Sequence, residues 1–111
     1  MRAEDYFSVD AALKKAFEQG ANRFNAYAVA YWSGVSDVWG VNEYLLRKNG
    51  TQLCAQIEFI CPYDSNPTGS IPFGAQVPEE VRCHVCTETF TPSLEDSNIV
   101  FSFIPDPLKK G

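Results

Sequence analysis

Three cysteines and an aspartate in the second half of the chain have the spacing of metal ligands, in the runs Cys61-Pro62-Tyr63-Asp64 and Cys83-His84-Val85-Cys86. A Cys-x-x-Cys turn aims two thiolates at one point, and two such turns supply the tetrahedral four-ligand shell of a structural zinc ion. In the first run Asp64 stands where the second thiolate belongs. A carboxylate oxygen also ligates zinc, so Cys61, Asp64, Cys83 and Cys86 are the candidate shell and zinc the candidate cofactor. His84 joins only if its turn distorts. Cys54 lies seven residues before Cys61, which on a continuous strand puts the two on opposite faces, so its entry needs a bulge. The competing reading makes these cysteines small apolar core residues.

Other chemistries fit less well. The dithiol of Cys83 and Cys86 is the reactive unit of thiol-redox proteins, but there a helix follows the first cysteine and lowers its pKa. Here Thr87, Thr89, Thr91 and Pro92 oppose a helix. A lone His84 beside cysteines is not a nucleophile–base pair by position, and neither a Gly-x-Ser-x-Gly elbow nor a phosphate loop is present. Glu79, Glu80, Glu88, Glu95 and Asp96 read as a solvated rim. No catalytic constellation emerges, and the expectation is a protein that is not an enzyme.

The elements around the cysteines follow from periodicity. Val9, Ala12, Leu13, Ala16 and Phe17 predict a helix over 8–19 with Ser8 as cap, Asp10 complementing the dipole and Gly20 as stop. Asn25 to Trp32 predicts a second helix, ended by Ser33-Gly34. A third, capped by Ser36, runs from Asp37 to Lys48 with Val38, Val41 and Leu45 inward and Leu46 beside them. Gly40 inside it costs about 1 kcal/mol relative to Ala, which marks a close contact or a later start. After Asn49-Gly50 the period changes to two: Leu53, Ala55, Ile57 and Phe59 alternate with Gln52, Cys54, Gln56 and Glu58, a half-buried strand over 51–60. Pro67, Gly69, Pro72, Gly74 and Pro78 break up 65–80, leaving Ile71-Pro72-Phe73 as a short edge strand. Val81-Arg82 leads into the Cys83 turn, and 98–104 forms a last strand with Ile99, Phe101 and Phe103 on one face, ended by Pro105 and Pro107.

The fold class expected is α+β, a three-helix half over 8–50 packed on a small antiparallel β half over 51–105, in a single compact domain of 111 residues. Ala30-x-x-x-Gly34 between the second and third helices, followed by a strand, resembles the start of a winged helix-turn-helix domain, in which the Ala permits close approach and the Gly a tight turn. The order strand, Cys-Pro turn, loop, strand, Cys-x-x-Cys turn, strand over about 56–104 resembles a zinc ribbon or rubredoxin-like knuckle pair, with Asp64 as the departure. Together the two resemble regulatory or adaptor parts of bacterial multi-component systems, including defence systems.

Composition sorts the partners. A net charge of −5 opposes the field of nucleic acid. The third helix opens on Asp37 and carries Glu43; a DNA-reading alternative rests on Asn42, Arg47 and Lys48. A high aromatic content in the helices favours a protein interface, with Trp32, Trp39 and Tyr44 as the partner-binding candidates and a second copy of the chain among the partners. No run approaches the roughly 18 apolar residues of a membrane span, and residues 1–30 lack a secretory signal, so a cytoplasmic location is expected. The function expected is a non-enzymatic interaction or adaptor module, with a winged-helix transcription regulator and a thiol-redox protein as alternatives.

Overall fold

The computed structural model describes residues 1–95 and 97–104; Asp96, Pro105 and Pro107 lie outside the described residues. The described residues form an α+β arrangement of three helices, α1 (Ala3–Glu18), α2 (Ala26–Ser33) and α3 (Val38–Arg47), and five strands, β1 (Leu53–Ile60), β2 (Pro67–Pro72), β3 (Val81–Arg82), β4 (Thr89–Phe90) and β5 (Ser97–Phe103). The contacts divide it into two compact units, one of residues 1–55 with 101–104 and the other Gln56–Val100. The division falls inside β1 and β5 rather than near residue 50.

In the first unit α1 begins five residues before the expected start. Its first turn is closed by the Asp5 carboxylate, which accepts from the Arg2 N–H at 2.9 Å, with Glu4 beside it at the positive end of the dipole. Ser8 is therefore not a cap: its hydroxyl donates to the Glu4 carbonyl at 3.0 Å inside the helix. Asp10, likewise too far along to serve the dipole, accepts from the Tyr44 hydroxyl of α3 at 2.8 Å. Val9, Leu13 and Ala16 form the buried stripe, whereas Phe17 is exposed beyond the expectation and meets the Phe103 ring edge-on.

Helix α2 follows the sequence closely. Asn25 accepts from the Ala28 N–H at 2.9 Å, and Gly34, at φ 75°, ends the helix in the left-handed conformation while its N–H bonds the Ala30 carbonyl. The cap of α3 is Asp37, one residue later than expected, accepting from the Gly40 N–H at 2.9 Å. That explains Gly40: a Cβ there would strike the Asp37 carboxylate and come within 2.8 Å of the Met1 side chain. Val41 and Leu45 are fully buried, while Val38 and Leu46 are half-buried. Phe24 pairs with Phe101 through a β-bridge and stacks on its ring, while the Trp32 and Phe103 rings lie tilted against it.

In β1 the alternating residues Leu53, Ala55, Ile57 and Phe59 are buried as expected, but Glu58 is buried too. The sheet order is β2-β1-β5, with β2 antiparallel to β1 at the edge. The sequence reading placed only a short strand at Ile71–Phe73, because two prolines and a glycine argue against a longer one. They are accommodated by position. Pro67 and Pro72 terminate an edge strand, where no inner ladder bond is lost, and Gly69 at φ 75° lies in a bulge where two steps along β1, Glu58 to Ile60, oppose three along β2. The hairpin of β3 and β4 pairs Val81 with Phe90 and Arg82 with Thr89, closing over the Cys83–Cys86 turn. In the second unit Ile57, Phe59, Cys61, Cys83 and Phe90 form the core, with Ile71, Val77, Val81 and Cys86 packed against it. Among the described residues no helix is long and apolar enough to cross a membrane.

Candidate metal centre

Two turns in the second unit are built to one pattern. In the first, the Cys61 N–H bonds the Asn66 carbonyl at 2.9 Å, the Ser65 N–H bonds the Cys61 carbonyl at 2.9 Å, and Ser65 has φ 61°. In the second, the Cys83 N–H bonds the Glu88 carbonyl at 2.9 Å, the Thr87 N–H bonds the Cys83 carbonyl at 3.1 Å, and Thr87 has φ 65°. Counting from the first cysteine, the same donors, acceptors and left-handed residue recur at the same offsets. Asp64 and Cys86 hold equivalent places. A positive φ on serine is uncommon and on a β-branched threonine rarer, so both turns store backbone strain that the surrounding hydrogen bonds hold.

The consequence is convergence. One ligand atom from each of Cys61, Asp64, Cys83 and Cys86 lies within 4.8 Å of every other. The Cys61 and Cys86 sulfurs are 3.6 Å apart, and the Cys83 thiol donates to Asp64 Oδ2 at 3.2 Å. A tetrahedral zinc shell with bonds of about 2.3 Å to sulfur and 2.0 Å to oxygen separates its ligand atoms by about 3.5–3.8 Å. The Cys61–Cys86 separation falls inside that range, the Cys83–Asp64 separation is about 0.3 Å short of it, and the outer limit of 4.8 Å exceeds it by about 1 Å. The four residues can hold a metal ion.

Backbone amides supply the electrostatics. Asp64 Oδ1 accepts from the Asn66 N–H at 3.0 Å, and this bond holds its carboxyl well below the usual carboxylate range against the opposing effect of burial. The equivalent amide in the other turn, that of Glu88, favours the Cys86 thiolate. Burial and the neighbouring Cys61 and Cys83 sulfurs outweigh it and push Cys86 up to about 12. Cys83 is shifted down, by the Cys86 amide first and the Val85 amide second; the Val85 N–H lies 3.4 Å from its sulfur. Amides aimed at the ligand atoms of one residue are the neutral means by which a turn lowers the cost of packing several anions together.

Thr68 and Asn66 are members of the site that sequence reasoning missed. Thr68, on β2, is almost fully buried; its hydroxyl accepts from the His84 N–H at 3.2 Å and donates to the Arg82 carbonyl at 3.4 Å, pinning the second turn to the strand that follows the first. Nothing local distinguishes such a threonine. Asn66 did carry a signal: an aspartate two residues before an amide forms an Asx turn. His84 is exposed, and its ring is not among the converging ligand atoms. Cys54, half-buried on β1, also stays outside the group among the described residues.

The remaining candidates lie in the first unit. Trp39 is 82% exposed and Trp32 43%, the latter tilted against Phe24 at 5.7 Å. Tyr44 is engaged internally: its hydroxyl is bonded to Asp10, its ring meets Tyr6 edge-on at 4.8 Å, and Lys48 Nζ sits 4.6 Å from its centroid. Lys48 also pairs with Asp10 at 3.4 Å, Asn42 is half-buried, and Arg47 is exposed. Tyr27 and Tyr31 belong to the same aromatic set of the helices. They are 72% and 87% exposed, and their spacing of four puts them on one face of α2. No protein-family model, curated protein or solved structure matches the chain.

Proposed function

We propose that the chain is a metal-clipped protein-interaction module: zinc held by Cys61, Asp64, Cys83 and Cys86 ties the two turns of the second unit together, and the aromatic surface of the helices docks a protein partner. The observation that carries the metal reading is the pair of like-built turns whose four ligand atoms converge within 4.8 Å. Four protein ligands fill a tetrahedral shell and leave no position for a substrate, which supports a structural role over a catalytic one. A unit of this size has a small core, and a metal is one of the staples that such units use.

The docking reading rests on exposure. Large rings are informative where water reaches most of their surface, and Tyr27, Tyr31 and Trp39 meet that description better than Trp32 or Tyr44. Tyrosine and tryptophan supply large contact areas with few rotatable bonds, which is why they dominate interface energetics. The test is affinity capture from the native source with wild type and with Trp39→Ala and Tyr31→Ala, each checked for unchanged helical circular dichroism. Loss of a captured protein, or of self-association, in at least one variant is expected. The same partners and the same oligomeric state in all three proteins would remove the proposed surface.

A further inference from the structure

We infer that Asp64 is the residue that sets metal choice at this centre, binding through Oδ2 and thereby holding the site to zinc-like ions in a backbone frame otherwise ready for four thiolates. The inference deepens the metal reading above and depends on it. Its basis is the equivalence of the two turns. Asp64 occupies the place of Cys86, three residues after the leading cysteine and one before the left-handed residue. Its two oxygens are differentiated: Oδ1 is tied to the Asn66 N–H at 3.0 Å, and Oδ2 faces the sulfurs, 3.2 Å from Cys83. A side chain held in this way presents one oxygen to the ion. It substitutes for a sulfur without rearranging the turn.

The chemical consequence follows from the donor set. Four thiolates in a tetrahedron hold zinc and, more weakly, a single iron, whereas a carboxylate oxygen in place of one of them removes that all-sulfur shell. Zinc and its spectroscopic stand-in cobalt accept mixed sulfur and oxygen donors. The turn at residues 61–66 needs no other change to supply a fourth thiolate, since its amides, its left-handed residue and its partner turn are already in place.

The experiment loads the reduced full chain anaerobically with cobalt(II), zinc(II) or iron(II) in wild type, Asp64→Cys and Asp64→Asn. Wild type is expected to give a cobalt charge-transfer band for three thiolates and to lose iron to a chelator that leaves zinc in place. Asp64→Cys should raise the cobalt band by about a third, as three thiolates become four, and should hold iron(II) with the near-ultraviolet absorption of an iron(II) tetrathiolate. Asp64→Asn, which keeps the shape of the turn, should bind cobalt at least tenfold more weakly with the three-thiolate band unchanged in intensity. Wild type holding iron as firmly as Asp64→Cys would overturn the inference. So would cobalt affinity in Asp64→Asn equal to wild type, which leaves the cysteine centre standing and removes only the role of Asp64. The absence of any cobalt band in wild type would overturn both this inference and the metal reading beneath it.

Discussion

At the scale of single residues, Tyr44 and Asp10 show how a predicted surface feature becomes an internal tie. The aromatic richness of α3 was plain in the sequence, but the partner of the Tyr44 hydroxyl lies 34 positions away, and no local pattern reports it. Burial, and then the bond to Asp10, raise the Tyr44 pKa, with Lys48 opposing. A raised folded-state value means that the contribution is complete below the unfolded tyrosine pKa of about 10 and is lost as pH rises through the folded one. Tyr44→Phe should therefore lower stability by about 0.5–1.5 kcal/mol at neutral pH, measured by urea unfolding, and the difference from wild type should shrink in strong alkali. A difference that grew with alkali would contradict the role given to the hydroxyl.

At the scale of elements, what was legible depended on whether the deciding contacts were local. The cap and stop of α2, at Asn25 and Gly34, involve atoms within four residues, and sequence and structure agree there. The start of α1 was missed because Ser8 looks like a cap and the Asp5 bond to the Arg2 amide gives no periodic signal. Strand β2 was shortened because prolines count against strands in general, whereas at an edge, around a glycine bulge, they cost little. That strand carries a prediction. Thr68 is where β2 grips the second turn, and Thr68→Val removes the acceptor of the buried-side His84 N–H while keeping the shape. It should cost about 1–3 kcal/mol and weaken metal binding by about 10–100-fold. Chelator competition and thermal melting of the metal-loaded protein check it; wild-type values in both would show that the clamp is not needed.

At the scale of the whole molecule, the convergence of Cys61, Asp64, Cys83 and Cys86 was readable because the spacing of the two turns is a sequence property, while the aromatic surface was only partly so, because exposure is decided by packing. Trp39, Tyr27 and Tyr31 stand out to solvent, whereas Tyr44 and Lys48 hold each other and Asp10. The two units also differ in what sustains them. The helical unit buries Val9, Leu13, Val29, Val41, Leu45 and Leu53 completely or nearly so, and the other relies on a short apolar list that includes two of the cysteines themselves. Removing metal from the full chain with a strong chelator should therefore strip amide-exchange protection from Gln56–Val100 and leave α1 and α3 protected. Equal loss in both units, or in neither, would contradict this division of labour.

Metal binding to thiols must displace their protons, so the central claim also fixes a direction with pH: affinity falls as acid protonates the cysteines. The most direct measurement is the metal content of the reduced 111-residue chain after equilibration with limiting zinc at neutral pH, alongside Cys61→Ser, Cys83→Ser and Cys86→Ser. The account predicts one zinc per chain in wild type, with each serine variant losing most of its affinity, since every one removes a thiolate from the same shell. A reduced wild-type chain that takes up no zinc, or a Cys61→Ser variant that binds as well as wild type while Cys83→Ser does not, would show that the two turns do not share an ion.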